Sequence, residues 1–200
     1  MYKLNTHYKK ILADTITPVS IYLKIRDKYP NSILLESSDY HANDNSFSYI
    51  CSNPIASIKV ENNIIIQTFP DGNIETLEIN KTTNVANEIH HFTQRFNVDP
   101  DKQFKFINNG IFGYTAYDAV KYFEDITISK KENYLKIPDI YYAVYQNIIA
   151  INHFKNEAYI FAHCYEAENN INDIHHLIKA KNFASYEFST EGEINSNLTD

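Results

Sequence analysis

The sequence is short of glycine and of long apolar runs, and each shortage excludes a class of protein. Only four glycines occur among its 200 residues. No glycine-rich loop is therefore available to cradle a nucleotide phosphate, which excludes a P-loop and a dinucleotide-binding fingerprint. No apolar run approaches the roughly 20 residues that cross a bilayer, and the first residues lack the apolar centre of a signal peptide. We expect a cytoplasmic protein with no membrane partner.

Clustered positive charge and paired cysteines are also missing. The formal net charge is −7, and the 18 basic residues are scattered along the chain, so we expect no nucleic-acid partner. Cys51 and Cys164 form no CxxC pair, and both lie in β-prone segments, where reduced, buried thiols are expected.

The eight histidines show none of the spacings of a metal site. His90-His91 and His175-His176 are adjacent pairs on predicted helices, and adjacent side chains point about 100° apart, whereas helical metal ligands recur at i and i+4. The sequence therefore predicts no metal ligand.

What the chain does have is enough apolar material for a core, since 44% of its residues are hydrophobic and 14% are aromatic. Its patterns predict an α+β fold, mainly an antiparallel β-sheet with packed helices. We expect helices from Thr17-Pro18, after Asn84 and around Ile174, and a helical turn over 117–124. The expected strands cover residues 32–37, 46–51, 55–60, 64–69, 74–79, 110–115, 141–154 and 158–165.

Two of the four glycines, Gly110 and Gly113, lie in one tetrapeptide. This predicts a backbone position at which a Cβ is poorly tolerated. The acidic residues that follow, Asp118, Glu124 and Asp125, have the composition of an acid/base set. Acidic residues are also common in the first turn of a helix, where their negative charge interacts favourably with the helix dipole. We prefer this structural interpretation. No nucleophile elbow or serine-centred motif is present.

The segment Leu34-Leu35-Glu36-Ser37 is an apolar strand that ends in a carboxylate and a hydroxyl. The two polar groups either begin the polar loop of residues 38–45 or form the rim of a small-ligand site. A carboxylate accepts hydrogen bonds from the ammonium group of an amino acid, and a hydroxyl can bond to either end of it. The residues alone leave both interpretations open.

The order of several motifs resembles the family of chorismate-utilising enzymes, which includes anthranilate synthase component I and aminodeoxychorismate synthase component I. The most specific is Gly110-Ile111-Phe112-Gly113-Tyr114, followed by Tyr117-Asp118 and Tyr122-Phe123-Glu124. The others are Thr17-Pro18-Val19, the Leu34 to Ser37 segment, Ser46-Phe47-Ser48-Tyr49-Ile50 with Asn53-Pro54, and Ile137-Pro138-Asp139.

The resemblance implies the N-terminal domain of the anthranilate synthase component I fold. Residues 1–188 would form a regulatory domain, and 189–200 a linker and the start of a missing C-terminal chorismate-binding domain of the same protein. That domain would hold magnesium and the catalytic residues, so the present chain is expected to be inactive alone.

A parent of this kind is a lyase that converts chorismate and glutamine-derived ammonia to anthranilate and pyruvate in tryptophan biosynthesis. Its partner would be a glutamine amidotransferase subunit, and tryptophan its feedback inhibitor. Two alternatives remain open: an aminodeoxychorismate or isochorismate synthase-type relative, and a free-standing amino-acid-binding module.

Within the resemblance, Leu35, Glu36 and Ser37 match the strand that binds tryptophan, and Ser37 is the position most closely tied to the inhibitor. Asn45 stands where relatives usually have a basic residue. A contact to the carboxylate of the inhibitor depends on that position, so the resemblance leaves tryptophan sensitivity open.

Overall fold

A computed structural model describes residues 1–36, 46–98, 103–126, 128, 137–180, 189 and 191–192. The strands are β1 Tyr2–Leu12, β2 Ile33–Leu35, β3 Phe47–Glu61, β4 Ile64–Thr68, β5 Ile74–Glu78, β6 Phe96–Val98, β7 Ile111–Thr115, β8 Ile140–Asn152 and β9 Glu157–Cys164. The helices are α1 Pro18–Arg26, α2 Val85–Gln94 and α3 Ile171–Lys179, and a 3-10 helix covers Tyr117–Tyr122. None of the described helices is long and apolar enough to cross a membrane.

The nine described strands form one sheet in the order β5-β4-β3-β8-β9-β1-β6, with β2 also beside β3 and β7 also beside β8. Every pairing is antiparallel except that of β1 with β6. This confirms the α+β class with a mainly antiparallel sheet.

The long strands β3 and β8 form the centre of the sheet and pair from Phe47 opposite Asn152 to Val60 opposite Ile140. The sequence predicted two separate strands, 46–51 and 55–60, and that was wrong. The register of pairing with β8 shifts between Pro54 and Ala56, and Asn53 has a positive φ of 57°, which together form a β-bulge. The strand continues past Pro54 because a residue in a bulge does not need the backbone N–H that proline lacks.

Strands β1 and β6 were not expected from the sequence. The first three residues of β1 pair in parallel with β6, and Asn5 to Leu12 pair with β9. Phe96 was expected to continue the apolar face of α2, but α2 ends at Gln94 and Phe96 pairs with Tyr2. The partner of each strand is distant in the sequence, so no local pattern reveals the pairing.

Helices α1 and α3 begin and pack much as their sequences indicate. The Thr17 side chain caps α1 by accepting from the Ser20 backbone N–H at 3.1 Å, which satisfies one of the orphan donors of the first turn. Ile21 of α1 and Ile174 of α3 are fully buried in a cluster with Ile149 and Ile160 of the sheet. We call this side of the sheet the helical face.

The opposite side, which we call the aromatic face, is covered by residues 103–112 rather than by a helix. Successive strand residues point to opposite sides, so Ile148 of β8 lies here while Ile149 belongs to the helical face. Phe104 and Phe106 pack against Phe161 with ring centroids 5.0 and 6.2 Å away.

Candidate functional site

The end of β2 carries two of the three residues expected to bind an inhibitor. Leu35 pairs with Tyr49 of β3. Ile33 packs against the aromatic face and Leu34 against the helical face, so Leu35 points to the aromatic face by strand alternation. Its side chain is 39% exposed. The strand therefore ends in an accessible apolar side chain on the ring-lined side of the sheet.

Glu36 follows Leu35 directly and is exposed. Its carboxylate forms no ion pair or hydrogen bond with any residue that the structure describes. Ser37, the third expected contact, and Asn45 lie outside the described residues. The structure thus places Leu35 and Glu36 together at the rim of the sheet and leaves the expectation for Ser37 as a prediction.

A register row runs across the sheet from this rim. Leu35 pairs with Tyr49, Tyr49 with Ala150, Ala150 with Tyr159, and Tyr159 with Lys10. The Tyr49 ring lies 6.1 Å from that of Phe112, and burial raises the pKa of Tyr49. The rim and the far end of the row share one face of the sheet.

At the far end of this row, a cavity of about 700 Å³ opens between the sheet and residues 103–106. We call it the aromatic cavity. Its aromatic side chains come from four separate parts of the chain: Tyr8, Phe47, Phe104, Phe106 and Tyr159. Sequence analysis did not identify this cavity, because only the fold brings these segments together.

Glu157, the one acid among the described residues that line the aromatic cavity, is neutralised by neighbouring side chains. Lys10 Nζ lies 2.6 Å from Glu157 Oε1, and the Tyr159 hydroxyl donates to Glu157 Oε2 at 2.9 Å. The hydrogen bond from Lys10 is the largest cause of a lowered pKa of Glu157, and its counterpart raises the pKa of Lys10.

A second cavity, of about 330 Å³, is bordered by His163, Gly110 and Tyr145. His163 is 2% exposed, and its Nε2 lies 2.8 Å from the Asn108 carbonyl oxygen. A carbonyl only accepts, so Nε2 donates and Nδ1 accepts from the Thr6 hydroxyl at 2.9 Å. Burial lowers the pKa of His163. This histidine holds the segment before β7 in place and is not poised for proton transfer.

Gly110 and Gly113 behave as their clustering predicted. A Cβ on Gly113 would lie 1.9 Å from the Tyr141 carbonyl oxygen and 2.8 Å from the Tyr142 Cα. Gly110 has a φ of +128°, which side chains rarely adopt. The tetrapeptide thus allows β7 to approach β8 closely.

The other candidate residues from the sequence lie where no chemical role is indicated. Asp118, Glu124 and Asp125 are exposed and line neither cavity. Cys51 and Cys164 are buried free thiols, as expected, and burial raises the pKa of each. Within the described part of the chain, no group of three or more histidine, cysteine or acidic residues could hold a metal ion.

The chain is similar to a family of chorismate binding enzymes and to proteins named anthranilate synthase component 1. The model of a family described as chorismate binding enzyme matches residues 30–199. The anthranilate synthase component 1 of Lactococcus lactis subsp. lactis is 29% identical over 157 residues, which cover 76% of this chain and 31% of that protein. The protein of the same name from Thermus thermophilus is 28% identical over 162 residues, which cover 81% of this chain and 33% of that protein.

A solved structure is also similar, the crystal structure of anthranilate synthase component I from Streptococcus pneumoniae TIGR4. It has 19% sequence identity and a TM-score of 0.47, and the match covers 86% of this chain and 35% of that one. The chain spans about a third of the length of the curated relatives named above.

Proposed function

The chain belongs to the chorismate binding enzyme family, and from this membership we propose that it forms the N-terminal part of an anthranilate synthase component 1. The family match over residues 30–199 carries the proposal, and the names of the curated relatives favour this member of the family. The parent protein would convert chorismate and ammonia to anthranilate and pyruvate. It would take the ammonia from a glutamine amidotransferase subunit.

In this proposal the present residues regulate the reaction and do not perform it. Residues 1–188 form the regulatory domain, and the catalytic groups and magnesium belong to a C-terminal domain. The surroundings of Asp118, Glu124 and Asp125 support this division, since these exposed side chains line neither of the two cavities described above.

Tryptophan is the proposed regulator, and the end of β2 its proposed contact. Glu36 offers an exposed carboxylate without a described partner, which suits the ammonium group of an amino acid. Leu35 offers an exposed apolar side chain on the aromatic face, which suits an indole ring. Ser37, next in the sequence, would supply a hydroxyl to either end of the backbone of the amino acid.

The activity is tested on the parent protein with chorismate, magnesium and ammonia, by following the fluorescence of anthranilate and identifying the product by mass. We expect anthranilate from the parent and none from the 200-residue chain alone. If the product were aminodeoxychorismate or isochorismate, the parent would be a different member of the family and not an anthranilate synthase. Turnover by the 200-residue chain alone would overturn the division of roles.

The regulatory site is tested by calorimetry of tryptophan binding to the parent protein. Glu36→Gln and Ser37→Ala should each weaken binding about tenfold or more, because the first removes the negative charge that faces the ammonium group and the second removes a hydrogen bond to a charged group. The matched control is Glu78→Gln on exposed β5, which should leave the affinity unchanged. Equal affinities for Glu36→Gln and Glu78→Gln would remove Glu36 from the site. Tight binding by the 200-residue chain alone would favour a free-standing amino-acid-binding module.

A further inference from the structure

We propose that the aromatic cavity is a binding site for a small aromatic carboxylate, separate from the end of β2. This goes beyond the proposed regulation by tryptophan and does not depend on it. Its volume of about 700 Å³ falls within the range of small-molecule sites, which is about 300–1,000 Å³.

The walls of the cavity suit a planar apolar ring. Phe47 stacks on Phe106 with centroids 4.8 Å apart, and Phe106 lies 5.1 Å from Tyr159. Phe104 meets Tyr8 edge to face at 5.0 Å. These rings hold one another in place and leave one continuous aromatic surface, against which a further ring can pack in an offset or edge-to-face arrangement.

The charges at the cavity suit an anion. Of the residues that the structure describes, three lysines and one acid line it: Lys10, Lys105, Lys155 and Glu157. Glu157 is already satisfied by Lys10 and by the Tyr159 hydroxyl. Neither Lys105 nor Lys155 forms an ion pair with a described residue, although the charge of Lys155 also helps to lower the pKa of Glu157. Three lysines against the one described acid leave an excess of positive charge for a ligand. This positive lining contrasts with the net charge of −7 of the whole chain.

Asn152 adds a directed donor. It is 5% exposed, and its Oδ1 accepts from the Lys155 backbone N–H at 2.8 Å. Its side-chain amide nitrogen donates to no described residue. A carboxylate oxygen bound in the cavity would accept a hydrogen bond from this nitrogen.

The same arrangement argues against an amino acid as the ligand. An ammonium group needs an acceptor, and the carboxylate of Glu157 is held by Lys10 and Tyr159. The site therefore differs in chemistry from the end of β2, where Glu36 is available. A ligand with an aromatic ring, a carboxylate and no ammonium group can pack against the aromatic walls and accept hydrogen bonds from the lysines and from the Asn152 amide.

The test uses the 200-residue chain and benzoate as the probe, with binding followed by saturation-transfer NMR and by titration. Benzyl alcohol serves as the neutral analogue and phenylalanine as the zwitterionic one. We expect saturable benzoate binding at least about fivefold tighter than that of either analogue, because only benzoate offers a net negative charge to the lysines of the cavity. Equal binding of benzoate and benzyl alcohol would overturn the proposal, as would the absence of saturation.

Matched variants localise the binding. Lys155→Gln should weaken benzoate binding about fivefold, whereas Lys81→Gln, in an exposed turn before α2, should not change it. Phe106→Leu should also weaken binding, with the near-ultraviolet circular dichroism used to verify that the fold is kept. Equal effects of Lys155→Gln and Lys81→Gln would show general charge attraction and overturn the assignment to this cavity. Loss of tryptophan binding in the parent would leave this result unaffected.

Discussion

Single side chains in this protein owe their chemical state to partners far away in the sequence. His163 of β9 is held between Thr6 of β1 and the carbonyl of Asn108, with both ring nitrogens engaged. In the neutral ring the proton lies on Nε2, which donates to the carbonyl, and Nδ1 accepts from the Thr6 hydroxyl. Burial disfavours the protonated ring and lowers the pKa of His163. The fold therefore selects one tautomer of the neutral ring, and burial favours that neutral form.

This arrangement predicts a loss of stability in weak acid. The unfolded chain protonates His163 near the ordinary histidine pKa of 6.5, and burial lowers that pKa in the folded state. The unfolded state therefore binds more protons, and the free energy of unfolding falls as the pH decreases below about 6.5. Urea unfolding between pH 7 and 5 should show this fall, with a smaller fall in His163→Gln.

His90→Gln, on the exposed side of α2, is the control and should retain the full pH dependence. Burial also lowers the pKa of His175, so a small residual slope is expected in the His163 variant. The carboxylates of Asp71 and Glu157 have lowered pKa values, so they change the free energy of unfolding only below this pH range. The same slope in the wild type and in His163→Gln would contradict the prediction.

At the scale of elements, the close approach of β7 to β8 depends on a missing side chain. Gly113 pairs with Tyr142, and the Tyr141 carbonyl occupies the space where a Cβ would stand. The contact is made by backbone, which cannot rotate away as a side chain can. Substitution must therefore separate the two strands or distort one of them.

We expect Gly113→Ala to destabilise the chain by about 3 kcal/mol or more, the upper range of overpacking. Gly72→Ala is the matched control, because Gly72 has a φ of +84° and no atom within 4 Å of the added Cβ. It should cost only about 1 kcal/mol, through the left-handed conformation alone. Denaturant unfolding measures both values, and a cost for Gly113→Ala no greater than for Gly72→Ala would refute the close contact.

At the scale of the whole molecule, burial is distributed unevenly across the sheet. Strand β8 pairs with β3 along its length and with β7 and β9 on its other side, and its last ten residues are all buried. In the edge strand β5, all five residues are exposed. Such differences in burial and pairing set the local opening free energy.

Hydrogen exchange followed by mass spectrometry should therefore find β8 the most protected strand. Its amides should exchange only on global unfolding, about a thousandfold or more slowly than those of β5. Peptides from β9 act as an internal comparison and should lie near β8. Comparable rates for β5 and β8 would contradict this description of the core.

The sequence by itself determined the features that depend on neighbours within a few residues. The Thr17 and Asn84 caps, the buried stripe of Ile174 and Ile178, and the turns beside β4 follow from short-range geometry. So does the pair of glycines at 110 and 113, and the resemblance to the chorismate-utilising family is confirmed by the family match. Local propensity, capping and periodicity act over one or two turns of chain and can be seen in the order of the residues.

Only the tertiary structure decided the features made by distant segments. It continued β3 through Pro54, added β1 and β6 to the sheet, and fixed the tautomer of His163. It also assembled the aromatic cavity from β1, β3, β8, β9 and residues 103–106. Strand pairing and burial join residues far apart in the chain, such as Thr6 and His163, which are 157 positions apart. Their free energy comes from contacts that no local pattern contains.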